Sequence, residues 1–281
     1  MEAFLASRRR FLHGAAALAG VQAIPVPAGT NNSSAGDIKL GVASYSLRKL
    51  SRPQAIVAIK ELKTPYVNIK EFHLPYKSTP EELVAGRKEF EAAGLQIVGG
   101  GTIGLKEDTD EDIRRYFEYA ELCRMPLIVI APTQQTMPRI ERFVREYNIK
   151  VAVHNHGPED QYFPAPQDAL KVVKNMDARV GLCIDVGHTA RTGVDVVKSI
   201  AEAGSRLLDM HIKDLRSLSD KESQCRIGEG VMPVAGIFAQ LKRMAYPGMV
   251  NLEYEIEADN PLPGMVQSLA FMRGVLAGLK G

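Results

Sequence analysis

The sequence contains no apolar run approaching the roughly 20 residues that a membrane-spanning helix needs, so no membrane span is expected. It holds only three cysteines, Cys123, Cys183 and Cys225, widely spaced and without a Cys-x-x-Cys pair. Neither a disulfide framework nor a cysteine-based zinc site is implied. There is almost no surplus of charge: 35 Lys and Arg stand against 33 Asp and Glu, a net +2, and only Arg8-Arg9-Arg10 forms a basic block. Bulk electrostatics therefore call for no nucleic-acid partner. No Gly-x-Gly-x-x-Gly opens a helix after the first apolar run, which weakens a dinucleotide-binding reading.

What is present is a chain of 281 residues, 45% hydrophobic and 24% charged, enough for one large core and a common size for one α/β barrel. Its N-terminus stands apart. Ser7-Arg8-Arg9-Arg10-Phe11-Leu12 precedes a small apolar run from Gly14 to Val21, and small residues follow around Ala23 and Ala28. This is the build of a signal peptide, and it resembles the bacterial twin-arginine pattern with His13 in the place of its Lys. The alternative is an amphipathic tail. Asn31 to Gly36 reads as a flexible linker, so residues 1–36 are assigned to signal and linker and 37–281 to one catalytic domain.

From Ile38 onward one pattern recurs: a short apolar run, a polar loop, then an amphipathic stretch with helix signals. The runs begin at Ile38, Tyr66, Leu95, Pro126, Ile149, Gly181, Leu207 and Met249. Thr79-Pro80-Glu81-Glu82 is a strong helix start, with a hydroxyl cap, Pro in the first turn and acid at the positive end of the dipole. Gly99-Gly100-Gly101 is expected to be a loop. Eight strands alternating with helices predict a parallel sheet, and repetition to eight favours a closed (β/α)₈ barrel.

In such a barrel the active site lies where strands end. Five of the six histidines, His73, His154, His156, His188 and His211, fall near predicted strand ends. Gly181-Leu-Cys-Ile-Asp-Val-Gly-His188 delivers a carboxylate and an imidazole at the exit of one short apolar run. On the eighth run, Glu253, Glu255 and Glu257 are spaced to share one face. The constellation His154, Asp185, His211 and Glu253, from strands five to eight, is read as the ligand set of one divalent metal. Mixed nitrogen and oxygen donors suit Mn²⁺, Co²⁺, Zn²⁺ or Fe²⁺. Structural alternatives stand beside each ligand: a hydrogen-bonded strand-end histidine, Asp185 as a turn former, Glu253 as the partner of Lys213 or Arg226.

At these residues the chain resembles the sugar phosphate isomerase/epimerase family of xylose-isomerase-like barrels, which also includes endonuclease IV. The resemblance rests on Cys183-Ile-Asp-Val-Gly-His188, on His211-Ile-Lys-Asp214 followed by Gly228-Glu-Gly230, and on Gly248-Met-Val-Asn-Leu-Glu253. It implies a (β/α)₈ barrel holding one divalent metal through Glu, Asp, His and Glu. Asp185, His211 and Glu253 match the last three, whereas His154 stands where relatives carry Glu. The implied chemistry is abstraction of a proton alpha to a carbonyl and formation of an enediolate. Its return elsewhere gives isomerisation or epimerisation of a sugar or keto-sugar. With a leaving group beta to the carbonyl the outcome is elimination, as in cleavage of 3-keto-glycosides.

His156, Glu255 and Glu71 are the candidate acids and bases, and Lys213 the group that holds the developing oxyanion. Lys70, His73, His188 and Arg226 are candidates for binding substrate; Lys70 and Arg226 also read as solvated surface charges. The resemblance implies a small-molecule carbohydrate as partner, leaves homo-oligomerisation open and, with the signal, implies a periplasmic or secreted enzyme. A nuclease of the endonuclease IV kind needs further histidines from strands two and three, where only His73 stands. A non-catalytic sugar-binding barrel is the last alternative.

Overall fold

Helices begin where the capping residues predict. Thr79 Oγ1 accepts the Glu82 amide while the Glu82 carboxylate accepts the Thr79 amide, a closed capping box. Thr109 Oγ1 likewise accepts the Asp112 amide. The computed structural model describes residues 37–279, so the expected signal and linker lie outside the described residues. Among the described residues the chain forms, in order, β1 (Lys39–Ala43), α1 (Arg52–Glu61), β2 (Tyr66–Ile69), α2 (Pro80–Ala92), β3 (Gln96–Leu105), α3 (Asp110–Leu122), β4 (Leu127–Pro132), α4 (Met137–Tyr147), β5 (Lys150–His154), α5 (Pro166–Val173), β6 (Val180–Asp185), α6 (Val186–Arg191), α7 (Val196–Ala203), β7 (Leu207–Ile212), β8 (Asp214–Leu215), β9 (Gln224–Cys225), α8 (Val234–Arg243), β10 (Met249–Leu252) and α9 (Leu262–Gly278).

Strands β1 to β7 and β10 pair in parallel, each with its neighbours in chain order, and β10 closes on β1. The result is the expected closed eight-stranded barrel with helices between the strands. Alternation then sorts the side chains. Val151, Val153, Leu182, Ile184, Met210 and Ile212 face outward and join the main core beneath the helices. Ala152 and Cys183 face inward, one step below His154 and Asp185, and pack with Leu127 and Val129 to fill the barrel under the site. Asp209 shares this inner level: its carboxylate accepts amide N–H groups of Asn68 (3.0 Å) and Asn251 (2.8 Å). Burial raises that carboxyl to about 6, with His211, the Met210 amide and the Asn68 hydrogen bond opposing. All three cysteines are buried and free. No helix among the described residues is long and apolar enough to cross a membrane.

Four expectations are corrected. Gly99-Gly100-Gly101 is not a loop but the middle of β3. A Cβ at Gly101, where φ is +116°, would overlap the Val129 carbonyl oxygen of β4, so glycine there serves close strand approach. A helix, α6, starts at Val186 immediately after β6, ahead of the one expected near Val194. The long connection after β7 contains the β8–β9 hairpin. Finally, β10 ends at Leu252, so the shared face predicted for three glutamates runs out: Glu257, with φ of 51°, turns away from the barrel mouth.

The clash at Gly101 leads to a stability prediction. Gly101→Ala should cost about 1–3 kcal/mol in urea unfolding. Gly104→Ala, where an added methyl meets nothing within 4 Å, should stay within about 0.5 kcal/mol of the parent. Equal midpoints for the two variants would contradict the close-approach argument.

Candidate active site at the barrel mouth

Four consecutive neighbours in the ring, β5, β6, β7 and β10, release His154, Asp185, His211 and Glu253 at one end of the barrel. One potential ligand atom from each lies within 4.8 Å of all the others, and all four residues are buried. His154 Nε2 faces His211 Nδ1 at 3.2 Å and Asp185 Oδ2 at 3.7 Å. Glu253 Oε2 lies 3.2 Å from His211 Nδ1. Two imidazole nitrogens turned towards each other share at most one proton comfortably, whereas one cation satisfies both nitrogens and both carboxylates. The donor set therefore fits a divalent ion. The far nitrogens, His154 Nδ1 and His211 Nε2, have no hydrogen-bond partner among the described residues, so no protein group fixes the tautomer of either ring.

Lys213 threads this cluster. Its Nζ donates to Glu253 Oε2 at 3.1 Å and Glu255 Oε2 at 2.5 Å, and it lies 3.0 Å from Asp185 Oδ2 in an ion pair. Gly187 makes room for it: a Cβ there would sit 2.8 Å from the Lys213 stem, so this glycine is clearance and not a hinge. Burial alone lowers the Lys213 pKa, but Asp185, Glu253 and Glu255 reverse this and hold the ammonium well above its usual value. The converse holds for the carboxylates. Burial raises Asp185, but Lys213, His188 and His154 outweigh it and the group stays below the ordinary range. Glu253 stays well below because His211, Lys213 and Lys70 outweigh its burial. Lys70 Nζ approaches Glu253 Oε1 at 3.4 Å.

Both structural alternatives for these acids are realised together with the clustering. Asp185 Oδ1 caps α6 by accepting the His188 amide (2.9 Å), which leaves Oδ2 to face the other donors. Asn155, which the sequence reading did not single out, holds the other side of Asp185: its Oδ1 accepts the Asp185 amide at 3.0 Å. Asp214 explains a motif. Its carboxylate accepts the amides of Leu215, Gly228, Gly230 and Met232, pinning the long loop next to Lys213. From that loop, Gln224 donates to the Glu253 carbonyl (2.7 Å) and accepts the Glu255 amide (3.0 Å).

A cavity of about 260 Å³ opens over the cluster, its wall including Lys70, Glu71, His154, Glu253, Tyr45 and Thr102. His156, His188 and Glu255 also line it, and the same three line a second cavity of about 620 Å³. Burial holds His188 at about 4, against the opposing pull of Asp185. Its Nδ1 faces Arg191 Nη1 at 3.2 Å; since a guanidinium only donates, Nδ1 accepts and the proton sits on Nε2. Arg191 is itself clamped by the Glu159 carboxylate. Glu159 and Asn155 were missed because support of this kind follows from loop packing, which leaves no spacing signal; Arg191 stands one turn after His188, a spacing that shows only once α6 is known to start at Val186.

Two expected substrate contacts are not brought to the cavities. His73 is buried, its Nδ1 paired with Ser44 Oγ at 3.0 Å. Arg226 is held by Glu257 (2.9 Å) and Gln267 (2.8 Å) on the outer side of the loop. His73 has Nδ1 committed to Ser44, Arg226 is held by its two partners, and neither residue lines either of the two cavities above the cluster.

Comparison with known proteins adds to this geometry. Residues 56–275 match a family described as "Xylose isomerase-like TIM barrel". Inosose dehydratase of Lacticaseibacillus casei is 21% identical over 201 residues, 64% of each chain. The chain spans about two fifths to two thirds of the length of the curated relatives it matches. Among solved structures, 3-keto-D-glucoside 4-epimerase, YcjR, from E. coli superposes with TM-score 0.69 at 18% identity, covering 85% of this chain and 100% of that one. The IOLI protein with a bound zinc atom gives TM-score 0.70 at 16% identity, covering 86% and 99%. At these identities the structural likenesses establish the fold.

Two measurements test the site. Protein produced with Mn²⁺, Co²⁺, Zn²⁺ or Fe²⁺ supplied should carry about one divalent ion per chain by elemental analysis. Asp185→Ala should lose it, with circular dichroism as the control for folding. The second concerns acid. His154, which burial holds at about 3, and His188, held at about 4, stay neutral while imidazoles of the unfolded chain, at 6.5, take up protons. The unfolded state then binds more protons, so the metal-free protein should lose stability as pH falls from 6.5 towards 4. Asp185 and Glu253 withdraw stability only below their ordinary 3.8 and 4.5, and Asp209, raised to about 6, works the other way below pH 6 as one group against two histidines. Melting temperatures should fall across the higher window, and His154→Asn should flatten the decline; a flat profile in the parent would refute it.

Proposed function

The chain belongs to the family of xylose isomerase-like TIM barrels, and from that premise we propose a divalent-metal-dependent sugar isomerase or epimerase acting on a sugar or keto-sugar. The observation that carries this reading is the convergence of His154, Asp185, His211 and Glu253 beneath a cavity rimmed by cations, carboxylates and imidazoles. A divalent ion bound there supplies Lewis-acid polarisation of a carbonyl and its neighbouring hydroxyl. The side chains supply the rest. Lys213, fixed as an ammonium, is a stationary positive charge beneath the cavity and not a base; Lys70, which lines the cavity, meets the oxygen on which negative charge develops. Glu255, paired with Lys213 at the rim, is the carboxylate best placed to take and return the alpha proton, with Glu71 further out on the same wall. Neutral His188, with its Nε2–H fixed by Arg191, is a hydrogen-bond donor to substrate, and the His156 ring packs edge-on against it.

His154 supports a second reading. It replaces one carboxylate of the acid/base pair that a two-sided epimerisation uses, leaving imidazoles on one wall and Glu255 on the other. That arrangement suits beta-elimination: Glu255 takes the alpha proton, the C–O bond beta to the carbonyl breaks, and the departing oxygen takes that proton back from the Glu255 carboxyl while imidazole N–H groups hydrogen-bond to it. A dehydratase among the curated relatives is in keeping with it. The export route is read from the sequence alone: Ser7-Arg8-Arg9-Arg10-Phe11-Leu12 supports a periplasmic or secreted enzyme carried folded by the twin-arginine pathway.

Free ketoses and 3-keto-glycosides incubated with the metal-loaded protein in D₂O separate these outcomes. Deuterium at the alpha carbon without cleavage is the result expected of an isomerase or epimerase, and release of the aglycone identifies the lyase. Glu255→Gln should lower kcat by about 10²–10⁴ in either case. Neither exchange nor cleavage across the panel would sink the enzymatic reading.

A further inference from the structure

The larger cavity is not needed by the chemistry above, yet it is continuous with the site. It shares His156, His188 and Glu255 with the inner cavity, so a molecule seated on the cluster reaches the wall of the outer one. The inner volume of about 260 Å³ falls below the roughly 300–1,000 Å³ of cavities that enclose drug-sized ligands. It is a seat for a single small ring, and the outer cavity offers more than twice that volume.

The charges lining the outer cavity are already committed. Arg191 is clamped by Glu159, Lys221 pairs with Glu222 at 3.7 Å, and Glu255 with Lys213. Asp160 Oδ1 accepts the amides of Tyr162 (2.7 Å) and Phe163 (3.1 Å). Of the lining cations, Lys106 alone has no ion pair among the described residues. Tight capture of a phosphate or carboxylate calls for several donors free to converge on it, Arg forks above all. Here the one lining Arg has its fork occupied. What remains is a roomy, polar, internally neutralised surface, with the side chains of Gln161 and Tyr162 among its edges. That surface matches hydroxyl groups better than ionic ones.

We infer that the substrate carries a second, uncharged and hydroxyl-rich group, a further sugar ring being the simplest, which occupies the outer cavity while the carbonyl-bearing ring sits in the inner one. The inference rests on the reading of the inner cavity as a sugar site. It assigns specificity to the exposed Lys106 and Gln161, which take no part in the cluster.

Isothermal titration of the metal-loaded protein tests it without depending on turnover. The probes are D-fructose, its O-glucosides turanose and maltulose, D-fructose 6-phosphate, and a matched methyl 3-keto-glucoside and 3-keto-disaccharide. In at least one matched pair, the disaccharide should bind about tenfold tighter than its single-ring counterpart, and the phosphate should add nothing. Lys106→Ala with Gln161→Ala should erase most of that gain and leave single-ring affinity unchanged. Equal affinity within both pairs, a preference for the phosphate, or a gain indifferent to the double substitution would each overturn the second compartment while leaving the sugar site standing. Binding of none of the probes would overturn both.

Discussion

The barrel mouth depends on one buried ammonium group. Lys213 touches Asp185, Glu253 and Glu255, the first two of which are almost wholly enclosed. Leaving carboxylates unpaired in such surroundings costs several kcal/mol for each ion. The neighbouring geometry follows from accommodating this lysine. Gly187 is small so that its stem passes, and α6 begins at once after β6 so that Asp185 is capped and aimed in the same move. Asp214, the next residue, gathers four amides and fixes the loop that carries Gln224 back to Glu253 and Glu255. The cation, the carboxylates and the covering loop are thus parts of one hydrogen-bonded body.

Period-two alternation is why so much of this was legible beforehand. Asn68 and Lys70, Cys183 and Asp185, Asp209, His211 and Lys213, and Asn251, Glu253 and Glu255 are all steps of two that continue one inward face. The sequence pattern carries that arithmetic wherever the strand persists, and helix starts such as Thr79 and Thr109 carry their own chemistry. Legibility failed where the backbone stopped obeying a period. Glu257 fell off the face because the chain turns left-handed there, and Gly99 to Gly101 were mistaken for a loop although they let β3 lie close to β4. Arg226 was a candidate for binding substrate, but the loop's own packing gives it Glu257 and Gln267 instead. The Glu159–Arg191–His188 chain belongs to the same illegible class: two residues one turn apart on α6 and a glutamate from the loop after β5, brought to them only by the fold.

His154 is where the chain departs from the pattern it otherwise follows. An imidazole in place of a carboxylate removes one negative charge from the cluster and one route for proton transfer, while keeping a donor for an ion. Burial then keeps that ring neutral, so it contributes a lone pair and not a charge. The fold and the donor set survive this change, so the chain keeps its place in the family, and the change bears on whether isomerisation or elimination follows proton abstraction.

The charge count of the mouth has a consequence for where negative charge is best placed. Three carboxylates, Asp185, Glu253 and Glu255, face two ammonium groups, Lys70 and Lys213, a surplus of one negative charge. With a divalent ion seated the surplus becomes one positive charge. Transfer of the alpha proton from a neutral carbonyl substrate to Glu255 leaves that total unchanged: it cancels the charge of the rim carboxylate and places one negative charge on the substrate oxygen, where the surplus positive charge would meet it. In a low-dielectric pocket, a charge that reaches the cations only in the intermediate is a preference for the intermediate over the substrate, and that difference is what lowers a barrier.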